Sequence, residues 1–288
     1  MWIYDLGLRR VTFLNSEGGR LGDMLFHPVL DPPLVGADPV ALLANGMILA
    51  GGNVVGRAMS NSLGVGGVRT VPVLLMTRAG KVVRQVAEID LQVMHVAARI
   101  LRDGRPGTLF LQQPFNDDPL VQAGHDGKSF VIVERRPRSM WIADEFSVTK
   151  MTGEGDTIFS KRFRYTPHRI DDAAFDQAFE AMVRRSQPGN AKIDFVDADV
   201  RKRMYRPEAL APVQAVRIAS DGTIWLRRES EPTRKSVSYM VLGPDGKEIA
   251  EVLLPEEEQV MDASSSILWV SSTSSDGAPV VISYRIRR

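Results

Sequence analysis

The chain has 288 residues, no cysteine, and 36 lysines and arginines against 35 aspartates and glutamates, for a net charge of +1. Without cysteine there is no disulfide, no thiolate nucleophile and no cysteine metal site, and the near-neutral balance offers no field to draw in nucleic acid or an anionic membrane. The opening Met1-Trp2-Ile3-Tyr4-Asp5 has neither a basic nor an apolar leader region, and the apolar stretches are strand-sized, so neither an export signal nor a transmembrane segment is read.

In chain order, one module recurs: a strand follows a turn, a second strand ends in a Gly-containing hairpin turn, and a third strand leads away. Trp2-Ile3-Tyr4-Asp5 and Arg10-Val11-Thr12-Phe13-Leu14 open the series, followed by Asn45-Gly46-Met47-Ile48-Leu49-Ala50. Val71 to Val83 then gives strand, turn and strand around Ala79-Gly80, with Pro72 predicting an edge or outer strand. His125-Asp126-Gly127 enters the strand Phe130-Val131-Ile132-Val133, and Phe146 to Thr152 followed by Thr157-Ile158-Phe159 leaves that unit.

From Asp171 to Arg185 the period changes. Phe175, Phe179, Met182 and Val183 fall at helical spacing, acids lie in the first turn, arginines in the last, and Pro188-Gly189 follows, which predicts an amphipathic helix packed on the rim. A shorter helical run is expected over Asp199 to Tyr205, ending before Pro207.

The clearest module comes next. Ser220-Asp221-Gly222 enters Thr223-Ile224-Trp225-Leu226, Val237 to Leu242 follows, Gly243-Pro244-Asp245-Gly246 turns, and Lys247 to Leu253 leaves. The last copy runs Ile267-Leu268-Trp269-Val270-Ser271 and Pro279 to Ile286. About five copies of a three- or four-stranded unit predict an all-β chain, a β-propeller of the six-bladed type with about five blades present and a short helical insertion at 170–207, the whole of 1–288 forming one domain. A β-sandwich also has many short, evenly spaced strands. Recurrence of the complete module, including the tryptophan after the entry turn, favours the propeller.

Met1-Trp2-Ile3-Tyr4-Asp5 through Phe13, Ala211-Pro212-Val213 through Leu226, and Ile267-Leu268-Trp269-Val270 through Ile286 resemble the six-bladed β-propeller proteins of bacteria related to the NHL-repeat family. That resemblance spans nearly the whole chain, but its motifs specify blades and not chemistry. It implies a periplasmic or cell-surface location. Such proteins begin with an export signal and a Gly-Pro-Gly-Glu-Phe-like segment; neither is found, so the chain is expected to be a fragment lacking the N-terminal blade.

Candidate chemistry is sparse. His27, His95, His125 and His168 are scattered with no ligand spacing. Asp117 and Asp118, with His125 and Asp126, lie close together in what reads as a loop before a strand, and with Asp5, the one carboxylate on an entry strand, they are the metal-ligand candidates. Turn chemistry alone explains Asp126-Gly127 and Asn116-Asp117-Asp118-Pro119. Gly51-Gly52-Asn53-Val54-Val55-Gly56 and Gly64 to Gly67 lack the strand-to-helix context and the Gly-Lys-Ser/Thr ending of a phosphate loop. No serine sits in a Gly-x-Ser-x-Gly elbow. Glu134-Arg135-Arg136-Pro137-Arg138 and Arg201-Lys202-Arg203 read as solvated faces that are able to take an anionic group on a partner.

Two function classes follow. The first is a non-catalytic propeller that binds a protein, peptide or glycan at its face, with no cofactor. The second, by analogy of fold alone, is a metal-dependent hydrolase of the lactonase kind holding calcium in a central channel.

Overall fold

The fold is that of a computed structural model, which describes the chain apart from residues 1, 6–7, 9, 26–36, 53–68, 92–94, 136–143, 187–192, 197–198, 229–235, 265, 275 and 287–288. The described residues form six antiparallel sheets and two helices. Five of the sheets are meanders whose strands pair in chain order. They are β1 (Trp2–Asp5), β2 (Arg10–Leu14) and β3 (Arg20–Leu25); β4 (Ala37–Leu42), β5 (Ile48–Gly52), β6 (Arg69–Met76) and β7 (Val82–Leu91); β10 (Leu120–Ala123), β11 (Ser129–Glu134), β12 (Glu145–Thr152) and β13 (Thr157–Arg164); β15 (Val213–Ile218), β16 (Ile224–Arg228), β17 (Ser236–Leu242) and β18 (Glu248–Pro255); and β19 (Gln259–Ala263), β20 (Ile267–Thr273) and β21 (Pro279–Arg285).

These five sheets stack face to face in sequence order, with β4, β10, β15 and β19 running next to one another in turn. Each junction has its own apolar core. Val11, Phe13 and Met24 meet Ile48, Ala50, Leu74 and Met76; Leu49, Val73 and Leu75 meet Phe130, Ile132 and Met151. Val131, Val133, Phe146 and Val148 meet Ile224, Leu226, Met240 and Leu242, and Trp225, Val237 and Tyr239 meet Val260, Leu268 and Val270. A middle sheet is buried on both faces, which is why β11 reads as the continuous apolar run Phe130-Val131-Ile132-Val133, whereas the outlying β13 alternates. The chain is therefore an all-β protein of β-propeller type, with the expected five modules.

One turn joins most of the strands. In Thr77–Lys81, Thr152–Asp156, Ala219–Thr223, Gly243–Lys247 and Ser274–Ala278, the first residue's N–H donates to the fifth residue's carbonyl and a glycine in the fourth place has positive φ. This is a hairpin turn closed by a glycine bulge. Strand pairing slips one residue beside several of these turns, as at Lys150/Met151 and Val241/Leu242.

The sixth sheet lies outside this series. β8 (His95–Arg102) and β9 (Arg105–Gln112) form a hairpin across Asp103-Gly104, both with positive φ, and β14 (Ile193–Phe195) pairs with β8 from about ninety residues downstream. Helices α1 (Asp172–Ser186) and α2 (Val200–Arg203) cover the hairpin, burying Phe175, Met182, Val200 and Met204 against Val96, Ala98 and Leu111. The Asp171 carboxylate accepts the Ala174 N–H at 2.8 Å and caps α1. The helices' apolar stripe thus packs on this hairpin rather than on the rim of the stacked sheets.

Pro72 also departs from expectation, because β6 is an interior strand. Its pairing with β5 ends at Ala50 opposite Leu74, so on that side Pro72 has no ladder bond to lose. No helix among the described residues is long and apolar enough to cross a membrane.

Candidate functional site

The structure divides the metal-ligand candidates that the sequence placed in one loop. Strand β10 runs between them, pairing Leu120 with Val133 and Ala123 with Phe130, so Asp117 and Asp118 lie at one end of it and His125 and Asp126 at the other. Three of the four acids hold the fold through their carboxylates. The Asp5 carboxylate accepts the Leu8 N–H at 2.9 Å, and that of Asp126 accepts the Lys128 N–H at 3.0 Å, closing its turn. Asp117 is buried and its carboxylate accepts a hydrogen bond from the Tyr205 hydroxyl at 2.8 Å, tying the β9–β10 connection to the segment after α2. Asp118 is buried too; its carbonyl accepts from Arg135 Nε at 2.5 Å. His125 stands exposed on its turn. Among the described residues, no three or more histidines and acids converge as metal ligands. His27, Asn53 to Gly56 and Gly64 to Gly67 lie outside the described residues.

Along the first strands of the sheets, polar side chains are used between neighbours. Tyr4 donates to Asp38 at 2.8 Å, and Asp262 accepts from the Ser220 N–H at 2.8 Å. The entry turns interlock as well. The Ala44 N–H donates to the Gly127 carbonyl at 3.0 Å, and that of Gly153 donates to the Lys128 carbonyl at 2.7 Å.

Two cations are deeply placed. Arg135, expected on a solvated face, is 4 % exposed. It continues the row Val131, Val133 that faces the next sheet, and its guanidinium donates to the carbonyls of Asp118 and Val213 and to Asn116 Oδ1 at 2.5–3.2 Å. Lys150 is 5 % exposed at the end of the row Phe146, Val148, and its Nζ donates to the Gly222 carbonyl at 3.0 Å. Burial pushes the Lys150 ammonium below its ordinary value, opposed by the nearby Asp126 carboxylate. The signal for both was the period of two along an apolar strand, which puts the third member of each row inside.

A concave feature with arginines in its lining lies on the sixth sheet. Val96, Ala98 and Ile100 alternate toward α1, and Arg102 continues that row; opposite them come Leu111, Leu109, Gly107 and Arg105. At the hairpin tip an open hollow of about 690 Å³ is lined by Ile100, Gly107 and Leu109, by Arg102, Asp103 and Arg105, by Pro106 and Thr108, and by Ser186 at the end of α1. Arg184 and Arg185 close the last turn of α1. Two guanidinium groups beside apolar surface, with the Asp103 carboxylate in the same lining, suit the carboxylate, sulfate or phosphate of a ligand that also carries apolar surface. The sequence signal here was Asp103-Gly104 between apolar-alternating flanks, a two-residue hairpin.

No family model matches the chain, and no curated protein does. Solved structures similar to it include a eukaryotic initiation factor, at 9% identity and TM-score 0.25 over 96% of this chain and 72% of that one. Another is the exo-β-1,3-galactanase of Phanerochaete chrysosporium with galactose, at 12% identity and TM-score 0.22 over 100% of this chain and 65% of that one. A third is the periplasmic gluconolactonase of Pseudomonas aeruginosa, at 10% identity and TM-score 0.24 over 96% and 76%. At these scores none carries fold or function to this chain; the fold stands on the pairing and stacking of its own sheets.

Proposed function

We propose that the chain is a binding module that recognises an anionic group on a protein, peptide or glycan. The observation that carries this reading is the hollow at the β8–β9 tip, which Arg102 and Arg105 line together with the apolar Ile100 and Leu109. Support comes from the acids first singled out for metal chemistry. Asp5, Asp117 and Asp126 accept hydrogen bonds that hold turns and connections, which is a structural task.

The test is fluorescence anisotropy with a labelled, aspartate- and glutamate-rich peptide carrying interspersed leucines, and with a labelled sulfated oligosaccharide. Binding of either probe is expected to weaken with salt and to fall at least about tenfold in an Arg102→Glu, Arg105→Glu variant that keeps the wild-type circular dichroism. Equal binding by wild type and variant, or binding of neither probe, overturns the proposal. So does calcium-dependent turnover of a lactone, which would restore the hydrolase.

A further inference from the structure

The fourth and fifth stacked sheets carry the same second strand, Ile224-Trp225-Leu226 in β16 and Leu268-Trp269-Val270 in β20. In β16, Ile224 and Leu226 face back to the preceding sheet, and Trp225 faces forward, covered by β19–β21 and packed edge-on to Tyr239 with ring centroids 6.2 Å apart. In β20, Leu268 and Val270 likewise face back, into the core shared with Trp225. Trp269 therefore faces forward from the equivalent place, but it is 42% exposed where Trp225 is 4% exposed. Met261, Ile267 and Val281 are exposed with it.

The first sheet shows the converse. Its forward residues Val11, Phe13 and Met24 are buried on the second sheet, while Ile3 and Leu25, on the face that looks backward, are 53% and 63% exposed. Each junction between the stacked sheets joins a forward face to a backward face, and among the described residues one of each is left uncovered.

We propose that these two faces bind each other between molecules: the β19–β21 face around Trp269 of one copy packs on the β1–β3 face around Ile3 and Leu25 of a second copy. The contact is head-to-tail, repeating the junction that already buries Trp225. Its apolar centre is a single tryptophan, the side chain that most often dominates association.

Sedimentation velocity of the whole chain across a concentration series is expected to show species heavier than 31.8 kDa. Trp269→Glu and Ile3→Glu are each expected to weaken association by about 30-fold or more, and because both sites are exposed the folded signal is kept. Mixing the two variants is expected to restore a one-to-one pair, since each retains the face that the other lost. Met261→Glu checks the Trp269 face independently. A chain that is monomeric throughout, with Trp269 open to a fluorescence quencher, overturns the proposal, as does a monomer with Trp269 shielded, which places the two faces together within one molecule. Failure of the mixed variants to pair overturns the head-to-tail geometry.

Discussion

Lys150 donates to one carbonyl, that of Gly222, from a position between two sheets where water is scarce. Its folded-state value lies below the ordinary 10.5. Between the two values the unfolded chain holds a proton that the folded chain has released, so stability rises with pH through that window, and below the folded value the full cost of burying the charge is felt. Urea unfolding from neutral pH to about pH 10.5 is expected to show this rise for the wild type, and a Lys150→Met variant is expected to lack that part of the slope; parallel curves would count against it. Arg135 is a different case. It is read as surface when taken with its neighbours Arg136 and Arg138 in sequence, and as interior when taken with Val131 and Val133 on its own strand face. The pair shows why local charge runs mislead: burial in a sheet is decided at i, i+2 and i+4, not at i+1.

At the scale of turns and strands, the recurring glycine turn has two physical settings. Gly80 adopts φ +80° with nothing within 4 Å of where a Cβ would stand, whereas at Gly127, φ +64°, a Cβ would come within 2.6 Å of the Ala44 backbone nitrogen. Gly80→Ala is expected to cost about 1 kcal/mol, the backbone strain alone. Gly127→Ala is expected to cost roughly 3 kcal/mol or more, because it also drives apart the turn contact from Ala44 to the Gly127 carbonyl. Chemical denaturation of the two variants checks the difference, and equal losses would remove the interlocking turns as a source of stability. The turns and strands of the stacked sheets were legible from Asp-Gly and β-branched runs. What was not legible was partnership across distance: the periodicity of Phe175 and Met182 announces a helix, but nothing in their spacing names Val96 and Leu111 as the surface beneath. For the candidate site, Asp117 and His125 look adjacent in sequence only until Leu120 to Ala123 is recognised as a strand, and at four residues it is too short to show a period.

For the molecule as a whole, equivalence between sheets gives residues of like sequence unlike consequences. Trp225→Ala is expected to destabilise the fold by about 3–5 kcal/mol, the range for emptying a buried aromatic site. Trp269→Ala, measured at concentrations where the chain is monomeric, is expected to stay within about 0.5 kcal/mol of wild type. Thermal or urea unfolding of the two variants decides this, and similar losses would show that Trp269 is covered within the single chain. The stacked sheets are each formed from contiguous sequence, so they assemble locally; the β8–β9 hairpin does not. Its apolar face waits for the segment around α1, and the first buried residue of that cover, Ile170, leaves the ribosome about sixty residues after Leu111, roughly 3–12 s later at ordinary elongation rates. During that interval the nascent chain presents Val96, Ala98 and Leu111 while β10–β13 are being made. The hairpin thus stays unprotected for seconds during translation, and is a place where a chaperone would find something to hold.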